Sequence, residues 1–303
     1  MPVRTIKGKK FSWHHVTTME AEDVSFLREN FQFHMLDFED LGSANPIPKL
    51  DLYKHYLFAV FQVPRWNSQS RIVADDLEIF LGADYLVTVT KRPIDAVEKF
   101  AMRAEQNAKF RNDTLGRGSA FLLYKILRYV FYGAQSVVTD LVKQVGDVEE
   151  RVYNVHDRKT TRDLAFIRRD VLFLRALIDP QRSMVSLIGG TRRPYISDEL
   201  SVFFDDIRDK LDTIWTITEN TKQGVDGLFE VNDALLTHRT NDVVTLFTAA
   251  TVALMPPTLI AGVYGMNLPW LPFATHPKEV ILLILFLATV SFLAVFTLLK
   301  RYR

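Results

Sequence analysis

The chain has 303 residues, with 37 lysines and arginines against 36 aspartates and glutamates, a formal net charge of +1. That balance speaks against nucleic acid as a partner held by overall positive charge. There is no cysteine, which excludes disulfides, cysteine zinc sites and a thiol nucleophile.

The N-terminus, MPVRTIKGKKFSW, is basic and no apolar run follows it, so a cleavable secretory signal is not expected. Residues 11–16 read as a strand and 19–31 as an amphipathic helix. PIPKLDLYKHYLFAVFQVPRW holds two short strands, ended by Pro64. LEIFLGADYLVTVTKRP reads as a strand pair turning at Gly82-Ala83-Asp84, and Pro93 opens a helix through Ala104. Strands grouped with flanking helices predict a compact α/β or α+β domain over residues 1–116.

After Gly116 the period becomes helical. Leu141, Val145, Val148, Val152 and Val155 are spaced four, three, four, three, and Leu164, Ile167, Val171, Leu174 and Ile178 repeat the seam. A polar link, residues 156–163, joins them into an antiparallel hairpin. Gly189, Gly190 and Pro194 end the pattern, and a third helix opens at Ser197 with Asp198 and Glu199 in its first turn. Run through to Val263 it has 67 residues, on the order of 100 Å at 1.5 Å per residue. Gly224 and Gly227 are its points of weakness. One chain cannot cover so long a helix, so an oligomer of parallel long helices is expected. The hairpin and stalk occupy residues 117–242.

Residues 243–263 and 280–299 carry no charge, in runs of 21 and 20 residues. Each is long enough to cross a bilayer, and the transmembrane region is residues 243–303, with an external loop at 264–279. Arg239 and the basic tail at residues 300–303 outweigh Lys278 in the loop, so by the positive-inside rule both termini are cytoplasmic.

Asn241, Val244, Thr248, Thr251, Met255, Thr258 and Gly262 follow a three-four spacing on one face of the first span. Two readings fit a stripe of small and polar residues in a membrane helix. It packs helix on helix through close backbones and hydroxyl bonds, or it lines a narrow pore about a symmetry axis. The adjacent Pro256 and Pro257 fit either.

The end of the span separates these readings. LMPPTLIAGVYGMN (residues 254–267) resembles the Met-Pro-x-Thr-x-Ile-Ala-Gly-x-Tyr-Gly-Met-Asn pattern of the CorA family of magnesium channels. The resemblance implies an α+β membrane protein of the plasma (inner) membrane. A cytoplasmic α/β domain, a helical hairpin and one long helix lead into the first of two C-terminal spans, and the assembly is a homopentamer. It implies a selectivity filter of Gly265, Met266 and Asn267, with the stripe as pore lining. Asn241 becomes the cytoplasmic polar ring and Met255 a gate. Val244 stands where some members carry methionine, and Glu230 is a candidate acidic ring below. The cargo and regulator the resemblance implies are Mg²⁺, with Co²⁺ or Ni²⁺ as alternative cargo. FFDDIRDKL resembles the family's aromatic-x-Arg-Asp-Val-x-Asp-His-Leu stretch. That makes Asp206 and Asp209, with Asp205, candidate ligands for a regulatory Mg²⁺ between subunits. PKLDLYKHYLF resembles a family strand that offers Asp51 as their partner. Asp205 replaces an arginine of the pattern and Lys210 a histidine.

A further departure lies outside the filter. Many members have Met-Pro-Glu there; this loop reads LPWLPFATHPKE, its first acid being Glu279, and it is similar to the zinc-handling ZntB branch. Zn²⁺ favours histidine. His14 and His15, adjacent on a strand, point to opposite faces. His276 alone lies in the loop, His238 precedes the span, and no helical His-x-x-x-His pair occurs. A Zn²⁺ transporter of the ZntB type is therefore the second reading, and a non-conducting membrane scaffold or regulator the third. No Walker loop, nucleophile elbow or HExxH motif is present, so an enzyme is not expected.

Overall fold

The structure is a computed structural model and describes residues 3–43, 47–154, 158–266 and 277–302. It divides into two compact units, Met1–Phe229 and Glu230–Arg303.

The first unit is built on a six-stranded sheet. Its strands are β1 (Val3–Lys7), β2 (Ser12–Thr17), β3 (Lys49–Leu52), β4 (Tyr56–Trp66), β5 (Ile72–Gly82) and β6 (Tyr85–Thr90), in spatial order β1-β2-β6-β5-β4-β3. All neighbours run antiparallel except β2 and β6. The hairpin at Ala83-Asp84 is as the sequence predicts. Pro64 is not: it sits inside β4, opposite Ala74. The reason is that β3 reaches only to Val60. Beyond it β4 is an edge strand, where a missing N–H is tolerated. The open edge is closed by a side chain. The buried Gln181 amide accepts from Gln62 N at 2.9 Å and donates to Gln62 O at 3.1 Å, as a neighbouring strand would.

Both faces of the sheet are covered, so β4 is apolar without alternation. Tyr56, Phe58 and Val60 join Phe80, Val87, Val89, Leu27 and Leu41 in the core under α1 (Ala21–Asn30) and α2 (Met35–Gly42). On the opposite face Phe61 meets Phe131 edge-on at 5.9 Å, and Trp13 meets Phe100 at 5.8 Å. Those partners belong to α5 (Ser119–Asn154) and α3 (Asp95–Gln106); α4 (Ala108–Leu115) joins the two.

His14 and His15 do part, one to each face. His14 rests on Phe31 at 5.4 Å. His15 is buried and fully bonded: Trp13 Nε1 donates to Thr88 Oγ1, which lies 2.9 Å from His15 Nδ1, and His15 Nε2 is 3.0 Å from Glu98. A carboxylate only accepts, so Nε2, which faces Glu98, carries the imidazole proton, and the Thr88 hydroxyl donates to Nδ1. Burial holds the His15 pKa below its ordinary value against the opposing pull of Glu98. This histidine is a neutral core residue with both nitrogens engaged.

Glu78 carries a pH dependence. It is buried, 3.5 Å from Lys91, and neither oxygen has a hydrogen-bond partner. Burial raises its pKa from 4.5 to about 8, Lys91 opposing and Asp76 and Asp40 reinforcing. A carboxyl whose pKa is higher in the folded state binds more protons there. Its contribution to stability is therefore full below 4.5 and is lost as pH rises through about 8. Glu78→Gln should flatten this fall in thermal stability between pH 5 and pH 8, measured by calorimetry; an unchanged slope would place the titration elsewhere.

The helical hairpin forms as predicted, from α5 and α6 (Arg158–Gly190). Leu141, Val148, Val152, Leu164, Ile167, Val171, Leu174 and Ile178 are buried along it, Val145 half-buried; Val155 lies outside the described residues. The link is shorter than residues 156–163, because α6 already begins at Arg158. Lysine, arginine and threonine there are compatible with helix, and Asp163 is fixed by Arg151 across the hairpin at 2.7 Å.

The third long helix, α7, runs Ser201–Tyr264 after a single 3₁₀ turn at Asp198–Leu200. Its first part pairs antiparallel with α6 through three ion pairs: Arg168–Asp226 at 3.1 Å, Arg175–Glu219 at 2.7 Å and Arg182–Asp212 at 2.6 Å. The members step by seven residues on both helices, two turns each, so one face of α7 stays against α6. Phe204, Ile207, Leu211, Ile214 and Val225 are buried on it.

Candidate functional site

The second unit holds the last part of α7 and α8 (Pro277–Tyr302). Both helices are long and apolar enough to cross a membrane. Each has one covered stripe. On α7, Ala253 and Pro257 are buried, with Ala249, Pro256, Ile260 and Val263 half-buried around them. On α8, Val280, Ile284, Leu287, Ala288, Ser291 and Val295 are half-buried, and the rest of its described side chains are exposed. Where α7 ends and α8 begins, Tyr264 lines a cleft with Val280, Leu283 and Phe286.

Asn241, Val244, Thr248, Thr251, Met255, Thr258 and Gly262 are all exposed. At about 100° per residue they centre roughly 150° around α7 from the covered stripe. Met255 is 70 % exposed and Val244 56 %. A shallow groove of about 840 Å³ brings Thr251, Met255, Thr258 and Gly262 together with Met266. The threonines are oriented by the backbone. Thr251 Oγ1 donates to Phe247 O at 2.9 Å and Thr258 Oγ1 to Leu254 O at 2.7 Å, which leaves their oxygen lone pairs pointing out.

The helix closes tightly. Gly265 N donates to Ala261 O at 2.9 Å and Met266 N to Val263 O at 3.2 Å. A Cβ at Gly265 would lie 3.2 Å from Ala261 O and 3.4 Å from Gly262 O, so a side chain crowds the carbonyls that end the helix. Asn267, the third residue of the expected filter, lies outside the described residues, as does His276. Glu230 is exposed.

The acids named from the resemblance are not gathered into one site within a chain. Asp206 binds Arg128 Nε and Tyr132 OH, both at 3.2 Å. Asp205 and Asp209 flank Arg208 at 3.2 and 3.5 Å. Asp51 lies 2.7 Å from Lys49 and sits with Asp37 and Asp40, whose ligand oxygens come within 4.8 Å of one another and of its own. No motif in the sequence marks Asp37 and Asp40. Their signal was α2 itself, which places them one turn apart beside β3. Asp37 is buried and takes hydrogen bonds from Tyr53 and Tyr56 at 2.7 and 2.6 Å.

A mixed α/β unit and a helix that continues into an apolar two-helix unit with one polar, uncovered face are the build of a membrane transport protein. The chain belongs to the family described as CorA-like Mg2+ transporter protein, whose model matches residues 8–301. It is similar to the cobalt/magnesium transport protein CorA of Thermotoga maritima, 23 % identical over 86 % of this chain and 74 % of that one. It is also similar to the zinc transport protein ZntB of Pectobacterium atrosepticum, 20 % identical over 86 % of this chain and 92 % of that one. Its fold matches the complete structure of the CorA magnesium transporter from Methanocaldococcus jannaschii, with a TM-score of 0.81 at 18 % identity, over 96 % of this chain and 90 % of that one.

Proposed function

We propose that this protein forms a homopentameric channel that carries Mg²⁺ into the cell, with the α7 stripe facing the axis and Gly265, Met266 and Asn267 at the external mouth. The observation that carries this reading is the stripe itself: polar, exposed, and on the opposite side of α7 from its covered residues Ala253 and Pro257. The Gly-Met-Asn sequence at its end supports the same reading.

The chemistry suits the ion. Mg²⁺ gives up water reluctantly and keeps octahedral geometry. Carboxylates at the mouth would attract it and hold it. Asparagine oxygens accept hydrogen bonds from its water shell and let it leave, as conduction requires. With both termini cytoplasmic, uptake runs down the membrane potential. A divalent ion gains roughly 4.6 kcal/mol per 100 mV, at about 2.3 per charge.

Zn²⁺ is the second reading, favoured by the ZntB relative and by a loop whose first acid is Glu279. The test is uptake into liposomes containing the purified protein, with Mg²⁺, Co²⁺, Ni²⁺ and Zn²⁺ compared side by side. Mg²⁺ flux that the other ions inhibit competitively is expected. Flux of Zn²⁺ alone would move the assignment to the ZntB type, and flux of none would leave a membrane scaffold.

A further inference from the structure

A regulatory Mg²⁺ bound between subunits needs carboxylates that lack a cation. Here each of the four candidates already holds one from its own chain: Asp51 has Lys49, Asp206 has Arg128, and Asp205 and Asp209 share Arg208. The surroundings of Asp206 are also cationic. Arg128 and Lys210 lie 4.7 and 4.8 Å from the Tyr132 ring. Arg117 and Lys125 lie 5.0 and 5.2 Å from the neighbouring Phe121 ring. The Lys125 pKa is lowered, first by burial and then by Arg128 and Arg117. This donor set does not fit a divalent cation.

We propose that Asp206 is not a Mg²⁺ sensor in this protein, and that Arg128, seated on the Tyr132 ring, is a tethered cation standing where a regulatory ion would. The proposal rests on the transport reading only for where such an ion is expected. Arg128 and Asp206 are each nearly half exposed, and one exposed pair is weak. Three further effects decide the outcome. A tethered cation competes at high effective concentration, whereas a free ion must be recruited from solution. Mg²⁺ must also shed water to reach the carboxylate. It must do so beside Lys125, Lys210 and Arg117, which repel it. The chain thus holds the conformation of this region with its own charge, and cytoplasmic Mg²⁺ has no differential affinity through which to shift it.

The test uses the full-length protein in detergent, which needs no transport activity and so fails independently of the uptake assay. Limited proteolysis is followed from EDTA to high millimolar Mg²⁺. The parent half-life should stay within about two-fold across the series, as expected when no ion binds the folded state preferentially. Arg128→Gln should become Mg²⁺-protected, by roughly ten-fold at ten times its Kd, and Asp206→Asn added to it should remove the protection. Arg128→Lys, which keeps the charge, should behave like the parent and guards against a merely misfolded Gln variant. Strong protection of the parent by Mg²⁺, lost on Asp206→Asn alone, would overturn the proposal. An Arg128→Gln variant that folds like Arg128→Lys yet stays indifferent to Mg²⁺ would overturn the role of Arg128.

Discussion

Asn267→Ala and Gly265→Ala are each expected to lower divalent-cation uptake in proteoliposomes to below about one hundredth of the parent, a barrier increase of about 2.7 kcal/mol, with the oligomer intact on size exclusion. The two fail for different reasons. Asn267→Ala removes the acceptor oxygen that meets the water shell, so the hydrated ion loses its partner at the mouth. Gly265→Ala keeps that oxygen but presses a methyl toward Ala261 O and Gly262 O, which displaces the end of the helix and the residues after it. The distinction is measurable. Raising external Mg²⁺ should partly rescue the glycine variant, whose filter chemistry survives, and not the asparagine variant. Uptake at the parent rate from both would remove the Gly-Met-Asn end from the mechanism.

Met255→Ser should produce the second large effect, a basal leak raised on the order of ten-fold, about 1.4 kcal/mol at the barrier. Met255 is the largest apolar side chain of the stripe and stands 70 % exposed on it, between Thr251 and Thr258. A narrow apolar ring stops ions by excluding their water, and a hydroxyl in its place lets water remain. Leu254→Ser is the control. Leu254 is also exposed but lies one position off the stripe, so its hydroxyl should leave the leak unchanged. Equal leaks from the two would count against Met255 as the gate.

The legible parts of the fold are those governed by a local pattern: the hairpin seam by its three-four spacing, the two apolar helices by uncharged runs of 21 and 20 residues, and the strand pair by the turn at Gly82-Ala83-Asp84. Three features were missed because the decisive contact is remote in sequence. The first half of β5 contains Ala74-Asp75-Asp76, a poor strand sequence, held in the sheet by Arg65 on Asp75 at 2.5 Å and Gln62 on Asp76 at 3.1 Å. β1 is a short edge strand with charged Arg4 and Lys7, and it declares itself only by pairing with β2. The three arginines of α6 were visible at seven-residue steps, but their meaning depended on acids at the same step on α7. The acids around Asp206 show the limit of motif matching. The spacing of Asp206 and Asp209 follows the family pattern, while Arg128, which decides what Asp206 binds, lies 78 residues away.

In the channel proposed above, Thr251 and Thr258 carry a consequence for the sign of the ion. With both hydroxyl protons committed to a carbonyl one turn back, these two positions would offer only lone pairs to whatever fills the proposed channel. Water against such a wall points its hydrogens outward, which is also how the shell around a cation is arranged. A hydrated cation therefore slides past without turning its waters over, whereas chloride would have to invert them at every ring. Such a wall would reject anions with dipoles alone. Unlike exclusion by a carboxylate ring, which fades within a Debye length of about 8 Å at physiological salt, it should persist undiminished in concentrated salt.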